Sequence, residues 1–142
     1  MATPEALALE MLDLTDRHEW AAREALLTPD CDVVMPSAAL RTPAAATAYS
    51  ETFVGAFADA RHRVDLVAAS GDTVVVEGVW IGTHTGPLVT PDGEIPATGR
   101  PLNLPFAMTV RTDGERVASL HVYFDQLAFL TQLGLVPQPQ AA

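Results

Sequence analysis

Apolar residues recur at helical spacing in the first part of the chain. Thr3-Pro4-Glu5 provides an N-cap oxygen, a proline for the first turn and an acid at the positive end of the helix dipole. The apolar residues that follow on one face are Leu7, Met11 and Leu14. The pattern predicts a first helix here and a second, shorter helix from Glu19 to Leu27, which Thr28-Pro29-Asp30 ends.

A short strand and a third helix are predicted next. Asp32 to Met35 has the composition of a strand, and Pro36 stops it. Thr42-Pro43 repeats the start signal of Thr3-Pro4, so we expect a helix from there to about Ala58.

After Ala58 the apolar period changes from 3.6 residues to 2, which is typical of strands. Four strand-like runs follow: Arg63 to Ala69, Thr73 to His84, Leu102 to Arg111 and Val117 to Phe124. Hairpin turns at Ser70-Gly71-Asp72 and at Thr112 to Glu115 connect the first two runs and the last two. The connection from Thr85 to Gly99 is rich in Gly and Pro and is expected to be a long loop.

The end of the chain predicts a closing helix and a tail. Gln126 to Leu133 has helical spacing and Gly134 supplies the C-terminal cap, while the tail begins at about Pro137. Helices therefore come first and an antiparallel meander second, which indicates a single α+β domain over residues 1–142. A strongly curved sheet wrapped around a helix would leave a pocket between them.

Composition limits the partners. The 8 Lys and Arg residues against 18 Asp and Glu residues give a net charge of -10, which disfavours nucleic acid and anionic membrane surfaces. The single Cys31 excludes an internal disulfide framework. The N-terminus has acids where a signal peptide carries basic residues, and no run approaches the roughly 20 apolar residues of a membrane span. We expect a cytoplasmic protein.

Three stretches resemble one known family. "WIGTHTG", "ATGRPLNL" and "YFDQLAFLTQLG" are similar to motifs of the SnoaL-like polyketide cyclase family, which has the nuclear transport factor 2-like fold. The resemblance implies an α+β barrel, that is, a cone-shaped curved antiparallel sheet closed by about three N-terminal helices around an apolar cavity. It also implies acid–base catalysis without a cofactor, in which the aspartate matching Asp125 is the acid/base residue. His121, Ser119 and Ala97 depart from the family pattern, which usually has Trp, Glu and Pro there.

Asp125 has two interpretations that the sequence leaves open. It directly follows the strand that ends at Phe124 and directly precedes the closing helix, so it is placed to cap that helix. In a strand, it also shares a face with Ser119, His121 and Tyr123, and that face either meets water or lines the pocket. In an apolar pocket its pKa would rise, which makes a carboxylate usable as a base near neutral pH. On this second interpretation the carboxylate points into the cavity.

Two further residues are candidates for catalysis beside Asp125. His84 lies between two glycines and either secures the strand end or binds a carbonyl oxygen and orients Asp125. Tyr123 is a candidate donor to an enolate oxygen, with packing as the alternative. His121 could contact the far end of a ligand, or lie on the surface or in an interface.

The remaining candidates form the wall of the predicted pocket. Residues expected to be core or substrate contacts are Trp80, Met35, Phe53, Phe106 and Met108. Arg63-Val64-Asp65 has the Arg-x-Asp form of epoxide hydrolases with this fold, but its position on the first long strand favours a surface pair. The four histidines are too scattered for a metal site, and we expect neither a metal nor a cofactor.

The sequence supports one main function and two alternatives. The main hypothesis is a cofactor-independent cyclase that acts on a polyketide-like or other apolar carbonyl compound by intramolecular aldol-type ring closure. A module that binds a small molecule or dimerises without chemistry is the first alternative. The second is an isomerase or an epoxide hydrolase, for which Glu77 would be the second carboxylate. A homodimer through the sheet is expected, with an apolar outer face supplied by Leu120, Val122 and Phe124 or by Leu104, Phe106 and Met108.

Overall fold

The computed structural model describes residues 2–136, and the predicted tail from Pro137 lies outside them. Four helices are present among these residues: α1 (Pro4–Asp16), α2 (Trp20–Ala25), α3 (Pro43–Ala56) and α4 (Gln126–Gln132). Thr3 and Thr42 cap α1 and α3 as the sequence predicts, since each hydroxyl accepts a hydrogen bond from a backbone N–H three residues on. Every helix of this part of the chain is too short or too polar to cross a lipid bilayer.

Eight strands within residues 2–136 form two sheets. They are β1 (Leu27–Met35), β2 (Ala38–Leu40), β3 (Arg61–Ser70), β4 (Thr73–Thr83), β5 (Leu88–Thr90), β6 (Gly93–Ile95), β7 (Pro101–Asp113) and β8 (Arg116–Phe124). The large sheet has the order β2-β1-β8-β7-β4-β3, and β5 pairs with β6 in a separate hairpin. Gly71 and Gly114 have positive φ angles of 61° and 62° in the two predicted hairpin turns.

The predicted α+β class and the curved sheet are confirmed. Adjacent strands of the large sheet are antiparallel except for β1 and β8, which run parallel. This pair places the N-terminal strand β1 second from one edge of the sheet, beside the last strand of the chain. The sheet does not close into a barrel, because β2 and β3 remain as its two edges.

Three local predictions need correction. Thr28-Pro29-Asp30 does not end α2 but lies inside β1, where the register shifts between Leu27 and Asp32 and so tolerates a proline that lacks an N–H. The short strand β2 was not predicted. The loop from Thr85 to Gly99 contains the β5–β6 hairpin, whose turn is stabilised by a 2.7 Å hydrogen bond from the Thr90 hydroxyl to the Gly93 carbonyl.

The core lies on one face of the large sheet, which we call the inner face, and α1 and α3 cover it. Its side chains include Leu104, Phe106 and Met108 of β7 and Leu120, Val122 and Phe124 of β8. One or the other of these two stripes was predicted to supply the outer, dimer-forming face, and that prediction is wrong because both face the core. A homodimer through the sheet would use the opposite, outer face, where Tyr123 is 56% exposed.

Candidate functional site

A cavity of about 120 Å³ lies between the helices and the inner face of the sheet. Its wall is mostly apolar and comes from α1, α2, α3 and all six strands of the large sheet. The predicted wall residues are all part of it: Trp80, Met35, Phe53, Phe106 and Met108. The polar side chains that also line it are few: Thr15, Asp16, Arg23, Tyr49, Ser50 and His62. Such a cavity suits an apolar molecule held by a small number of polar contacts.

Asp125 does not point into this cavity, and that expectation is corrected. Its carboxylate is exposed and caps α4, where Oδ1 accepts hydrogen bonds from the N–H groups of Leu127 (2.9 Å) and Ala128 (3.1 Å). The residue has the extended backbone of an N-cap, with φ -79° and ψ 109°. The helix-capping interpretation therefore describes this residue, because its oxygen is used by the helix and not by the pocket.

Tyr123, His121 and Glu77 also lie away from the cavity. On β8, the alternation of faces decides this: Leu120, Val122 and Phe124 face inward, so the alternate residues face outward.

His121 Nε2 is 2.9 Å from Asp32 Oδ2, and Arg41 pairs with the same carboxylate. The hydrogen bond with His121 lowers the pKa of Asp32 most, and the charges of Arg41 and Arg111 add to this, while burial opposes it. Glu77 is exposed.

The two carboxylates that the epoxide hydrolase alternative requires also lie outside the cavity. It required Asp125 and Glu77 around an activated water, and neither lines the cavity. Arg63 and Asp65 are an exposed pair on β3, with Arg63 Nε 2.9 Å from Asp65 Oδ1, as the sequence predicted. No cluster of three or more His, Cys, Asp or Glu side chains within residues 2–136 is placed to hold a metal ion.

His84 is fully buried behind the cavity wall instead of in it. Its Nδ1 accepts a hydrogen bond from the Thr98 N–H at 3.2 Å and lies 3.0 Å from the Thr98 hydroxyl, and its ring stacks on Phe57 at 5.1 Å. Its backbone pairs with Gly99 and Arg100. The residue therefore ties the long loop to the end of β4, which is the structural one of its two predicted roles, and it does not orient Asp125.

The burial of His84 predicts a pH dependence of stability. Burial lowers the pKa of His84 below its ordinary 6.5, and an interaction with the Gly86 backbone opposes this in part. The unfolded chain therefore binds a proton that the folded one resists, so the free energy of unfolding should fall as the pH drops below about 6.5. In urea unfolding between about pH 5 and pH 8, His84→Gln should flatten this fall. An unchanged slope would assign the effect to other groups.

A His–Asp dyad is the main polar feature of the cavity. His62 Nδ1 lies 2.6 Å from Asp16 Oδ1, and Asp16 Oδ2 accepts the backbone N–H of His62 at 2.9 Å. A carboxylate oxygen only accepts hydrogen bonds, so in the neutral ring Nδ1 carries the proton and Nε2 is the basic atom. Nε2 makes no hydrogen bond with residues 2–136. The His62 ring packs edge-on against the Phe106 ring, with 5.4 Å between the ring centroids, and both residues line the cavity.

The fold places the two halves of the dyad from distant parts of the sequence. Asp16 is the last residue of α1, which packs against β3. His62 is the second residue of β3 and pairs across the sheet with Trp80, so the two side chains share the inner face. This dyad was not among the residues predicted from the sequence. One signal for Asp16 is present in the sequence: it follows Leu12 by four residues on α1, so it lies on the same face of the helix as that inward-facing residue.

Arg23 is a second polar feature at the same end of the cavity. It is only 6% exposed, and its Nε donates to the Thr15 hydroxyl at 2.8 Å. Its Nη1 is buried and has no hydrogen-bond partner among residues 2–136. Burial lowers the pKa of Arg23 to about 10, so the guanidinium is still charged at neutral pH. This arginine was not among the predicted site residues, and its burial could not be expected from the sequence, because most arginines lie on the surface.

Comparison with known proteins agrees with the fold. The sequence model of the family described as "SnoaL-like domain" matches residues 8–120. A candidate polyketide cyclase from Xanthomonas campestris pv. campestris has a TM-score of 0.80 at 19% identity, over 92% of this chain and 96% of that one. IdmH, a candidate polyketide cyclase from Streptomyces antibioticus, has 0.78 at 20% identity, over 94% and 99%. A protein with a ketosteroid isomerase-like fold from Catenulispora acidiphila has 0.77 at 21%, over 95% and 96%. No curated protein matches the sequence.

Proposed function

The chain belongs to the SnoaL-like domain family, and we propose that it is a cofactor-independent cyclase that acts on an apolar carbonyl compound by acid–base catalysis. The observation that carries this proposal is the His62–Asp16 dyad in the wall of an apolar cavity. The candidate polyketide cyclases among the structural neighbours support the reaction class, although at their low identity they share only the fold with this chain. The proposed base is thus His62, and not Asp125.

The proposed reaction is an intramolecular aldol closure. His62 Nε2 removes a proton from the carbon next to a carbonyl, and Asp16 stabilises the imidazolium that forms. The enolate carbon then attacks a second carbonyl carbon of the same molecule, which forms the ring bond. The resulting alkoxide takes back the proton from Nε2, so the base is regenerated and no cofactor is consumed. The apolar wall holds the substrate in a folded shape with its reacting carbons close together.

The first half of this reaction can be tested without knowing the natural substrate. We expect the protein to accelerate exchange of the α-hydrogens of 4-phenylbutan-2-one in D2O, followed by proton NMR, because this ketone has one apolar ring and acidic hydrogens beside a carbonyl. General-base catalysis of this kind contributes about 10²- to 10⁴-fold. Binding of the ketone is recorded in the same samples by line broadening. Binding with exchange no faster than in buffer would contradict the proposal and favour the non-catalytic binding module.

A further inference from the structure

Arg23 is a charged group of the cavity that takes no part in the dyad. Arg23 is almost fully buried, lines the cavity and has one guanidinium nitrogen, Nη1, without a partner among residues 2–136. The other end of the guanidinium is fixed, since Nε donates to the Thr15 hydroxyl and that hydroxyl donates to the Met11 carbonyl at 2.7 Å. Thr15 directly precedes Asp16, so the cation and the dyad meet at the same end of α1.

No carboxylate compensates this charge in the described part of the chain. None of the ion pairs of residues 2–136 includes Arg23. The neighbouring acid, Glu24, accepts a hydrogen bond from Thr47 instead. Among residues 2–136, Arg23 instead donates to the Thr15 hydroxyl, at the negative end of the α1 dipole. A buried cation with an unused donor lowers the stability of the empty protein, and a ligand that supplies an anion would remove this penalty.

We propose that the ligand of this cavity is an apolar small molecule that carries a carboxylate, and that the Arg23 guanidinium binds this carboxylate. The inference rests on the proposed function in that it names the substrate class of the same site. Arg23 fixes the acid end of the molecule at the same end of the cavity as the dyad, so a carbonyl group close to the carboxylate lies beside His62, and the apolar part extends along the wall. Guanidinium suits a carboxylate because its planar N–H groups match the two oxygens.

The net charge of the protein cannot by itself produce a preference for a carboxylate. With a net charge of -10, the surface repels anions and attracts cations. A preference for a carboxylate over a neutral isostere must therefore come from a group inside the cavity. Among the described residues that line the cavity, Arg23 is the only Lys or Arg.

Three probes of equal length test the inference by isothermal titration calorimetry: 3-phenylpropanoate, 3-phenylpropanamide and 3-phenylpropylamine. Each has one ring, which suits a cavity similar in size to the roughly 150 Å³ apolar cavities that bind benzene. We expect the carboxylate to bind about 10- to 100-fold more tightly than the amide, as hydrogen bonds to a charged partner do, and the amine to bind most weakly. Equal binding of carboxylate and amide, or tightest binding of the amine, would overturn the inference.

Two variants locate the effect. Arg23→Met keeps an unbranched apolar stem and removes the guanidinium and its charge, so carboxylate and amide should then bind within about twofold of each other. Its melting temperature should stay or rise, because an uncompensated buried charge is lost, whereas a purely structural arginine would lower it. His62→Gln should keep the carboxylate preference, which excludes the histidine as the anion site. A preference retained in Arg23→Met would overturn the inference.

The outcome is independent of the variants' folding and of the proposed reaction. The comparison of the three probes on the wild-type protein stands even if Arg23→Met fails to fold. Failure of the proposed function appears as absent α-hydrogen exchange, while failure of this inference appears as absent carboxylate preference.

Discussion

Replacing His62 with glutamine is expected to lower the rate of α-hydrogen exchange by about 10²- to 10⁴-fold. Glutamine has no basic nitrogen, but it is close in size to histidine and its amide can still donate to Asp16. The backbone N–H of residue 62 also keeps its 2.9 Å hydrogen bond to Asp16 Oδ2, because this bond does not involve the side chain. Stability should therefore change by no more than about 1 kcal/mol, as measured by urea unfolding.

Two aspartate variants provide matched controls for this prediction. Asp16→Asn should also reduce the exchange rate, because an amide donor facing Nδ1 would favour the tautomer in which Nε2 carries the proton and is no longer a base. Asp125→Asn makes the same chemical change at a helix cap outside the cavity. It should leave the exchange rate unchanged and cost at most a few tenths of a kcal/mol, since Asn caps about as well as Asp.

The controls also define the result that would contradict the dyad. Full exchange activity in His62→Gln, with loss of activity in Asp125→Asn, would mean that the family resemblance at Asp125 identifies the base. The structure gives the opposite expectation, because the Asp125 carboxylate is exposed and occupied by two N–H groups of α4.

Local signals in the sequence were sufficient for most elements of the fold. Thr3-Pro4 and Thr42-Pro43 start helices because a side-chain oxygen and a fixed proline φ angle act within one turn. The hairpins at Gly71 and Gly114 follow from the positive φ that glycine tolerates. The parallel pairing of β1 with β8 could not be predicted in this way, because it joins segments about ninety residues apart, such as Val33 and Leu120.

The face of each strand was the main limit in predicting the site. An alternating strand has one apolar and one polar face, and either can point to a cavity. The sequence interpretation put the polar face of β8 in the pocket, whereas the apolar face is there, as expected of a wall that binds an apolar molecule. The predicted wall residues are correct because large apolar side chains on β4, β7 and α3 are buried either in the core or in the cavity wall.

The position of His62 shows a second limit. Near the hairpin turn Ser70 pairs with Thr73 and Leu66 pairs with Glu77, and this register would bring His62 opposite Ile81. The register shifts between Val64 and Leu66, so His62 instead pairs with Trp80 and turns to the inner face. A single extra residue in β3 thus decides whether the histidine meets Asp16 or solvent, and neither its composition nor its period reveals that residue.

Phe57→Ala is expected to lower the free energy of unfolding by about 3 to 5 kcal/mol, the usual range for a fully buried phenylalanine. Phe57 has no exposed surface and is the C-cap residue that follows α3. The distances from its ring centroid to those of its aromatic neighbours are 5.0 Å for Trp80, 5.1 Å for His84 and 6.0 Å for Phe129. These contacts join α3, β4 and α4 behind the cavity, so the space left by the ring has rigid walls on several sides and cannot collapse.

Phe53→Ala is the matched control, because Phe53 lies one turn earlier on α3, is only partly buried and borders the cavity that already exists. Its loss should be smaller in urea unfolding and should instead weaken binding of 3-phenylpropanamide. Equal destabilisation by the two substitutions would show that the wall at Phe53 supports the fold as much as the aromatic cluster behind it, and that the cavity is not a preformed space.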